Sequence, residues 1–308
     1  MTKVVVTGGA GFIGSHIVDA LLSKGMEVVV VDDFSTGKKE NLAHVKGKVT
    51  LLEGSITDAD LMRRACTGAR AVIHLAALPS VPKSIELPME TNLVNEVGTL
   101  TVFLAARDAG IDRVIYASSS SVYGDTPTLP KVETMPPSPL SPYAVQKLTA
   151  ELYGRIFTSL YGLKTIGLRY FNIFGPRQDP HSMYSAVIPK FIHLMKQGQA
   201  PVINGDGEHT RDFTYIDNVV EANMRALETM QGFGEAYNIA AGDRISLNRL
   251  VDEINGILGT HTVAEHGAPR QGDIKDSFAD IEKAKAAFGY EPGVSFRDGL
   301  ARTVDAIV

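Results

Sequence analysis

The stretch that most constrains this chain is Lys3 to Ser15, KVVVTGGAGFIGS. Val4-Val5-Val6 is an apolar, β-branched run that stops at Thr7-Gly8-Gly9, and Gly11-Phe12-Ile13-Gly14-Ser15-His16-Ile17-Val18 then takes up helical spacing. The pattern predicts a buried strand, a tight turn and the first turn of an amphipathic helix. Gly8, Gly11 and Gly14 fall in a G-x-x-G-x-x-G spacing. One glycine turns the chain, one lets backbone approach a ligand, and one lets helix and strand pack closely. The unpaired N–H groups at the helix start favour an anion such as a diphosphate. Glycine turns also serve structure alone in many α/β chains, so the triplet gains meaning only from its neighbours along the chain.

Gly25 is placed to end that helix, and a second strand, Val28 to Val31, runs into Asp32-Asp33. Asp32 stands eighteen positions after Gly14, near the offset of roughly 20 residues at which an acid meets the ribose hydroxyls of a bound dinucleotide. A carboxylate there repels a 2′-phosphate, and the next basic residues are Lys38 and Lys39, so NAD is expected over NADP. Phe34-Ser35-Thr36-Gly37 is a polar turn suited to wrap that ribose. Val49 to Leu52 reads as a third strand, closed by a turn through Gly54, Ser55 and Ile56. Ala71 to Ala77 reads as a fourth, ending in Leu75-Ala76-Ala77, where small residues let a cofactor lie on the backbone. His74, inside that apolar strand, is read as a core histidine. A helix over Asn92–Ala109 and a fifth strand, Arg113 to Ala117, come next. This alternation predicts an α/β fold with a Rossmann-type, doubly wound parallel sheet.

The fifth strand runs into Ser118-Ser119-Ser120-Ser121-Val122-Tyr123-Gly124. Ligands of open parallel sheets sit beyond the carboxyl ends of the strands, so these hydroxyls are placed for chemistry. Ser141-Pro142-Tyr143-Ala144-Val145-Gln146-Lys147 has a cap and a first-position proline, which predicts a helix start. Tyr143 and Lys147 then share one face, one turn apart. A lysine ammonium, joined by a positive nicotinamide ring, is expected to lower the tyrosine pKa from about 10. The phenolate could take a proton from an alcohol as hydride leaves the same carbon. Thr165 to Asn172 reads as a sixth strand, after which alternation fades. Residues 1–171 are expected to form the NAD-binding part, with 213–241 returning to it through a strand at Glu235 to Ala240. Residues 172–212 and 242–308 are expected to form a smaller mixed α/β substrate-binding domain.

Composition narrows the class. The chain has 308 residues, 44% of them hydrophobic, which is enough for an ample core. Its net charge of −5 argues against a nucleic-acid partner. The single Cys66 excludes an internal disulfide and suits a reducing cytoplasm. The N-terminus enters a core strand directly, and the apolar runs are too short to span a bilayer, so neither a leader nor a membrane partner is expected. No metal site is expected.

Taken together, Thr7 to Gly14, Leu75-Ala76-Ala77, Ser118 to Gly124, Tyr143 with Lys147, Arg169-Tyr170-Phe171-Asn172, Arg211 and Arg270-x-x-Asp273 occur in the order seen in extended short-chain dehydrogenase/reductases. The chain resembles the nucleotide-sugar 4-epimerases of that group over essentially its whole length. The resemblance implies NAD held by Gly8, Gly11, Phe12, Ile13, Asp32, Asp33, Ser35, Gly37, Ser55, Ile56, Leu75, Ala76, Ala77, Tyr143, Lys147 and Tyr170. It implies Ser119 on the sugar 4-oxygen, Tyr143 as base and acid, and Lys147 tuning it. It also implies Asn172, Arg211 and Arg270 on the UDP diphosphate and Asp273 on the uridine ribose. Arginine suits phosphate because its guanidinium binds two oxygens at once. Two expectations of the family fail: Ser55 replaces an adenine-side Asp, and Pro79 replaces a Lys found in some epimerases.

Departures set the substrate expectation. Ser120 and Ser121 stand where dehydratases of the superfamily carry Asp-Glu, so water loss lacks its acid and base. Asp179 stands where enzymes of uronic acid sugars commonly carry Arg, so a sugar carboxylate is disfavoured. Ser277 replaces a bulky Tyr of epimerases restricted to UDP-glucose and UDP-galactose, leaving room for an N-acetyl group. Similarity to bacterial UDP-N-acetylglucosamine 4-epimerases implies Ser80, Gln178, Ala186 and Val187 around the sugar. UDP-N-acetylglucosamine and UDP-N-acetylgalactosamine are therefore the expected pair, with strict UDP-glucose epimerisation, net NAD-linked sugar oxidoreduction and a non-catalytic scaffold as alternatives. A homodimer is implied, through the helices Asn92–Ala109 and Ser141–Tyr161.

Overall fold

A computed structural model describes residues 2–179, 186–268 and 276–307. Its centre is a seven-stranded, wholly parallel sheet. Six strands come early: β1 (Lys3–Thr7), β2 (Glu27–Asp32), β3 (Val49–Glu53), β4 (Ala71–His74), β5 (Arg113–Ser119) and β6 (Lys164–Tyr170). They lie in the order β3-β2-β1-β4-β5-β6, and a late strand, Glu235–Ile239, pairs parallel to β6 at the edge. The order reverses direction between β1 and β4, and that reversal opens a crevice at the carboxyl ends of the strands.

The strands read as continuous apolar runs because helices cover both faces. Val4 and Val6 face one layer, with α1 (Phe12–Ser23) and the helix Ile216–Glu228. Val5 points the other way, toward α2 (Ala59–Cys66) and the helices Thr99–Asp108 and Pro142–Tyr161. All three valines are fully buried, each worth roughly 1.5–3 kcal/mol relative to exposure. The thiol of Cys66 lies in the second layer, where burial pushes its pKa up to about 11.

Several strand ends differ from expectation by a residue or two. β5 continues through Ser118 and Ser119, because both pair in register with Arg169 and Tyr170 of β6. β6 stops at Tyr170, and Asn172 has a φ of 33°, so the chain turns there before the short strand Ile173–Phe174. The helix expected over Asn92–Ala109 begins at Pro88 and includes a π-helical turn, Leu93–Gly98. Beyond β6 the pairings are short: Ile173–Phe174 with Thr214–Tyr215, Thr210–Arg211 with Ile245–Ser246, and Val202–Asn204 with Glu265–Gly267. No described helix is long and apolar enough to cross a membrane.

Candidate active site

The reversal point holds a cavity of about 540 Å³. The turn Thr7 to Gly11 forms one wall. A side chain at Gly8 would put its Cβ 2.7 Å from the Ala76 nitrogen, and one at Gly14 would put it 2.0 Å from the Gly8 oxygen. Both are backbone obstacles that cannot step aside, so the close packing of turn, helix and β4 requires glycine. Gly11 caps α1 without a side chain over the first amides, and the first turn carries no acid. This end is shaped for an anion.

Asp32 closes β2 with its carboxylate fixed by two backbone donors. Oδ2 accepts from Ala10 N at 2.8 Å and Oδ1 from Phe34 N at 2.9 Å. Burial raises its pKa, and the two hydrogen bonds oppose that rise. Phe12, Ile13, Asp33, Ser35, Gly37, Ile56, Leu75, Ala76, Ala77 and Tyr170 line the same crevice. Ser55 lies just outside that lining, its hydroxyl 2.9 Å from Thr57 Oγ1. Pro79 lines it as well.

Ser119, Tyr143 and Lys147 meet at the inner end. Ser141 caps the helix by accepting from Ala144 N at 3.2 Å, and Pro142 occupies its first position. Lys147 is buried and Tyr143 half-buried, and Ser119 lines the crevice beside them. Lys147 Nζ donates to Ala117 O at 2.9 Å and lies 5.8 Å from the centre of the Tyr143 ring. The expected depression of the tyrosine is not seen in the protein alone. Burial pushes Tyr143 up to about 12, and the Ser119 hydrogen bond only partly opposes it. The same burial brings Lys147 down to about 8.

Asn172, Gln178 and Ala186 also line the crevice. Asn172 Nδ2 points to Ser277 Oγ at 3.4 Å and donates to Asp212 O at 3.2 Å. Gln178 Nε2 donates to Ile173 O at 3.2 Å, while its Oε1 is buried with no partner among the described residues. Asp179 also lines the crevice, and its carboxylate sits 3.1 Å from Lys38 Nζ. The pair is half-exposed, so the Asp179 carboxylate keeps its negative charge at the crevice. Ser80 is spent as a helix cap, accepting from Lys83 N at 3.1 Å, and Val187 begins the helix Val187–Lys196. Neither lines the cavity, nor does Arg211, whose guanidinium donates to Thr210 O at 2.9 Å. Arg270 and Asp273 lie outside the described residues.

Two supports were not visible in the pattern. Ser84, fully buried, accepts from Tyr143 N at 3.1 Å. Asn95, on the π-helical turn, grips both the N–H and the carbonyl of Leu78 and donates to Gln146 Oε1 at 2.8 Å. Only the spacing of Gln146 inside the Tyr143–Lys147 turn could have hinted at the second.

The sequence matches the NAD dependent epimerase/dehydratase family over residues 4–240. The chain belongs to that family. It is 42% identical to a UDP-N-acetylglucosamine 4-epimerase from Methanobrevibacter ruminantium M1, solved with UDP-N-acetylmuramic acid; that match has a TM-score of 0.95 and covers 99% of this chain and 97% of the other. It is 39% identical to a UDP-glucose 4-epimerase from Thermotoga maritima, solved with UDP-glucose, with a TM-score of 0.94 and coverage of 99% and 98%. It is also 39% identical to the UDP-glucose 4-epimerase of Mycolicibacterium smegmatis, covering 98% of this chain and 97% of that one. The protein is an isomerase of the NAD-dependent UDP-sugar 4-epimerase type. Its crevice fits NAD on its own evidence: an uncapped, acid-free helix start, glycines that leave no room for side chains, and a fixed acid at the end of β2.

Proposed function

We propose that the enzyme inverts C4 of a UDP-hexose through a transient 4-keto sugar, and that its preferred pair is UDP-N-acetylglucosamine and UDP-N-acetylgalactosamine. The observation that supports the reaction is that Ser119, Tyr143 and Lys147 line one crevice together. Residues of the glycine turn, Asp32, the Phe34–Gly37 turn, Ser55 and Ile56, and the Leu75–Ala77 segment hold NAD, which supplies the acceptor and then the donor of hydride at C4. Tyr143 takes the 4-hydroxyl proton and returns it, and Ser119 holds the 4-oxygen throughout. Lys147 stays protonated near neutral pH and favours the phenolate. Residues 172–212 and 242–308 grip the UDP, with Asn172, Arg270 and Asp273 on it, Gln178 and Ala186 around the sugar and Ser277 beside Asn172. The grip belongs on UDP because the sugar must turn over to present its other face.

Two features support the N-acetyl preference. Ser277 is small where it meets Asn172. Gln178 Oε1, without a partner among the described residues, calls for a donor, which an acetamido N–H provides. A homodimer fits the exposed apolar side chains Met89, Leu93, Leu152 and Leu160, which lie on the helical stretches Pro88–Asp108 and Pro142–Tyr161. Light scattering giving a single-chain mass would remove the dimer.

The deciding experiment follows product formation from UDP-N-acetylglucosamine and UDP-glucose separately. A higher kcat/KM on the N-acetyl sugar is expected. Turnover of UDP-glucose alone overturns the preference, and net accumulation of reduced nicotinamide overturns epimerisation.

A further inference from the structure

Three consecutive residues of β5 hold three positions of the helix Pro142–Tyr161. Ala117 O accepts from Lys147 Nζ at 2.9 Å, Ser118 Oγ donates to Glu151 Oε1 at 2.5 Å, and Ser119 lines the crevice with Tyr143. Positions 143, 147 and 151 are four apart and form one helical face. Arg169 of β6 clasps the Glu151 carboxylate with both arms of its fork, Nε to Oε1 at 2.8 Å and Nη2 to Oε2 at 2.7 Å. Ser118 and Arg169 are register partners, so one carboxylate ties the helix to two neighbouring strands. The third guanidinium nitrogen donates to Tyr123 OH at 2.8 Å, and Tyr123 donates to Asn238 Oδ1 at 2.7 Å. Tyr123 closes the turn Ser120–Tyr123, in which Ser121 N donates to Ser119 Oγ at 3.1 Å.

We propose that Glu151, with Ser118 and Arg169, forms a positioning cluster that sets the separation of Ser119 from Tyr143. It rests on the epimerase reading, and none of the three touches the reacting atoms. The bonds at Tyr143 N, Gln146 and Lys147 are single contacts near the helix start, whereas the bidentate clasp at Glu151 fixes direction as well as distance. Stability alone does not demand a buried ion pair here, since apolar side chains of similar volume commonly do as well. Geometry does demand it: a displacement of about 1 Å at a reacting pair can cost about a hundredfold in rate.

The test compares Ser118→Ala and Glu151→Asp with the parent enzyme. Glu151→Asp keeps the charge that neutralises Arg169, so folding is protected, but withdraws the carboxylate by one methylene. Each variant is expected to lose about tenfold or more in kcat. KM for the UDP-sugar and the content of bound NAD should stay within about twofold. The acidic limb of the kcat–pH profile should move to higher pH, because Tyr143 loses the Ser119 bond that lowers its pKa. Asp112→Asn serves as the control: it breaks the comparable Arg113 pair at the far end of β5 and should lower Tm while leaving the limb in place. Unchanged kcat in both variants overturns the proposal, as does a kcat loss equal at every pH. A parent enzyme that converts no UDP-sugar would instead sink the epimerase reading, so the two failures are distinguishable.

Discussion

The two walls of the crevice are built by different means. The cofactor wall comes from adjacent stretches of chain, β1 with α1 and β2 with its following turn, and its contacts are largely backbone: Gly8, Gly11, Gly14 and the amides bound to Asp32. The opposite wall comes from single side chains, Asn172, Gln178 and Ala186, with Ser277 behind Asn172, all carried outside regular strands and helices. Backbone recognition tolerates few residue types, because any Cβ collides. Side-chain recognition varies one residue at a time, which lets closely similar epimerases differ in substrate.

The largest effect should come where the two walls meet. Tyr143→Phe is expected to lower kcat by about 10²–10⁴-fold with UDP binding little changed, as seen by calorimetry with UDP. Retained turnover would remove Tyr143 as the proton carrier and leave the junction without a base. On the backbone wall, Gly14→Ala would force a Cβ to within 2.0 Å of Gly8 O. A loss of roughly 3 kcal/mol in stability is expected, with NAD no longer copurifying. If NAD binding and Tm survive, the wall is more forgiving than the comparison holds.

A third prediction concerns the sheet beneath both walls. His74 is buried between Thr7 Oγ1 and Thr99 Oγ1, at 2.7 and 2.9 Å, and burial holds its pKa down to about 3. The unfolded chain binds that proton below about 6.5 while the folded chain does not, so stability from this group is complete above pH 6.5 and is lost as pH falls. By pH 5 the loss is about 2 kcal/mol. The Tm advantage of the parent over His74→Gln should therefore narrow between pH 7 and pH 5. A constant gap would show that His74 does not carry the acid sensitivity.

The smallest effect belongs to the side-chain wall. Ser277→Tyr is expected to lower kcat/KM for UDP-N-acetylglucosamine by roughly 10–100-fold while leaving UDP-glucose within about threefold. An equal loss on both sugars would mean that position 277 supports the loop and does not sort substrates.

Much of the cofactor wall was legible from residues alone. Strand runs, glycine spacing and the offset of Asp32 are local patterns with local causes, and each lies where the pattern indicated. Tyr143 and Lys147 were legible for the same reason, since a capped helix dictates that i and i+4 share a face. Ser80 and Val187 were expected beside the cavity but do not line it, because one is used as a helix cap and the other opens a helix.

The sequence by itself determined the alternation of strands and helices, the anion-shaped turn and the tyrosine–lysine face, because each depends on residues a few positions apart. Only the tertiary structure decided what those groups experience. In the protein alone, burial raises the Tyr143 pKa, and Asp179 pairs with Lys38. The fold also joined Ser118, Glu151 and Arg169 across three elements. Desolvation and long-range pairing depend on which distant segments close over a group, and no spacing along the chain encodes that directly.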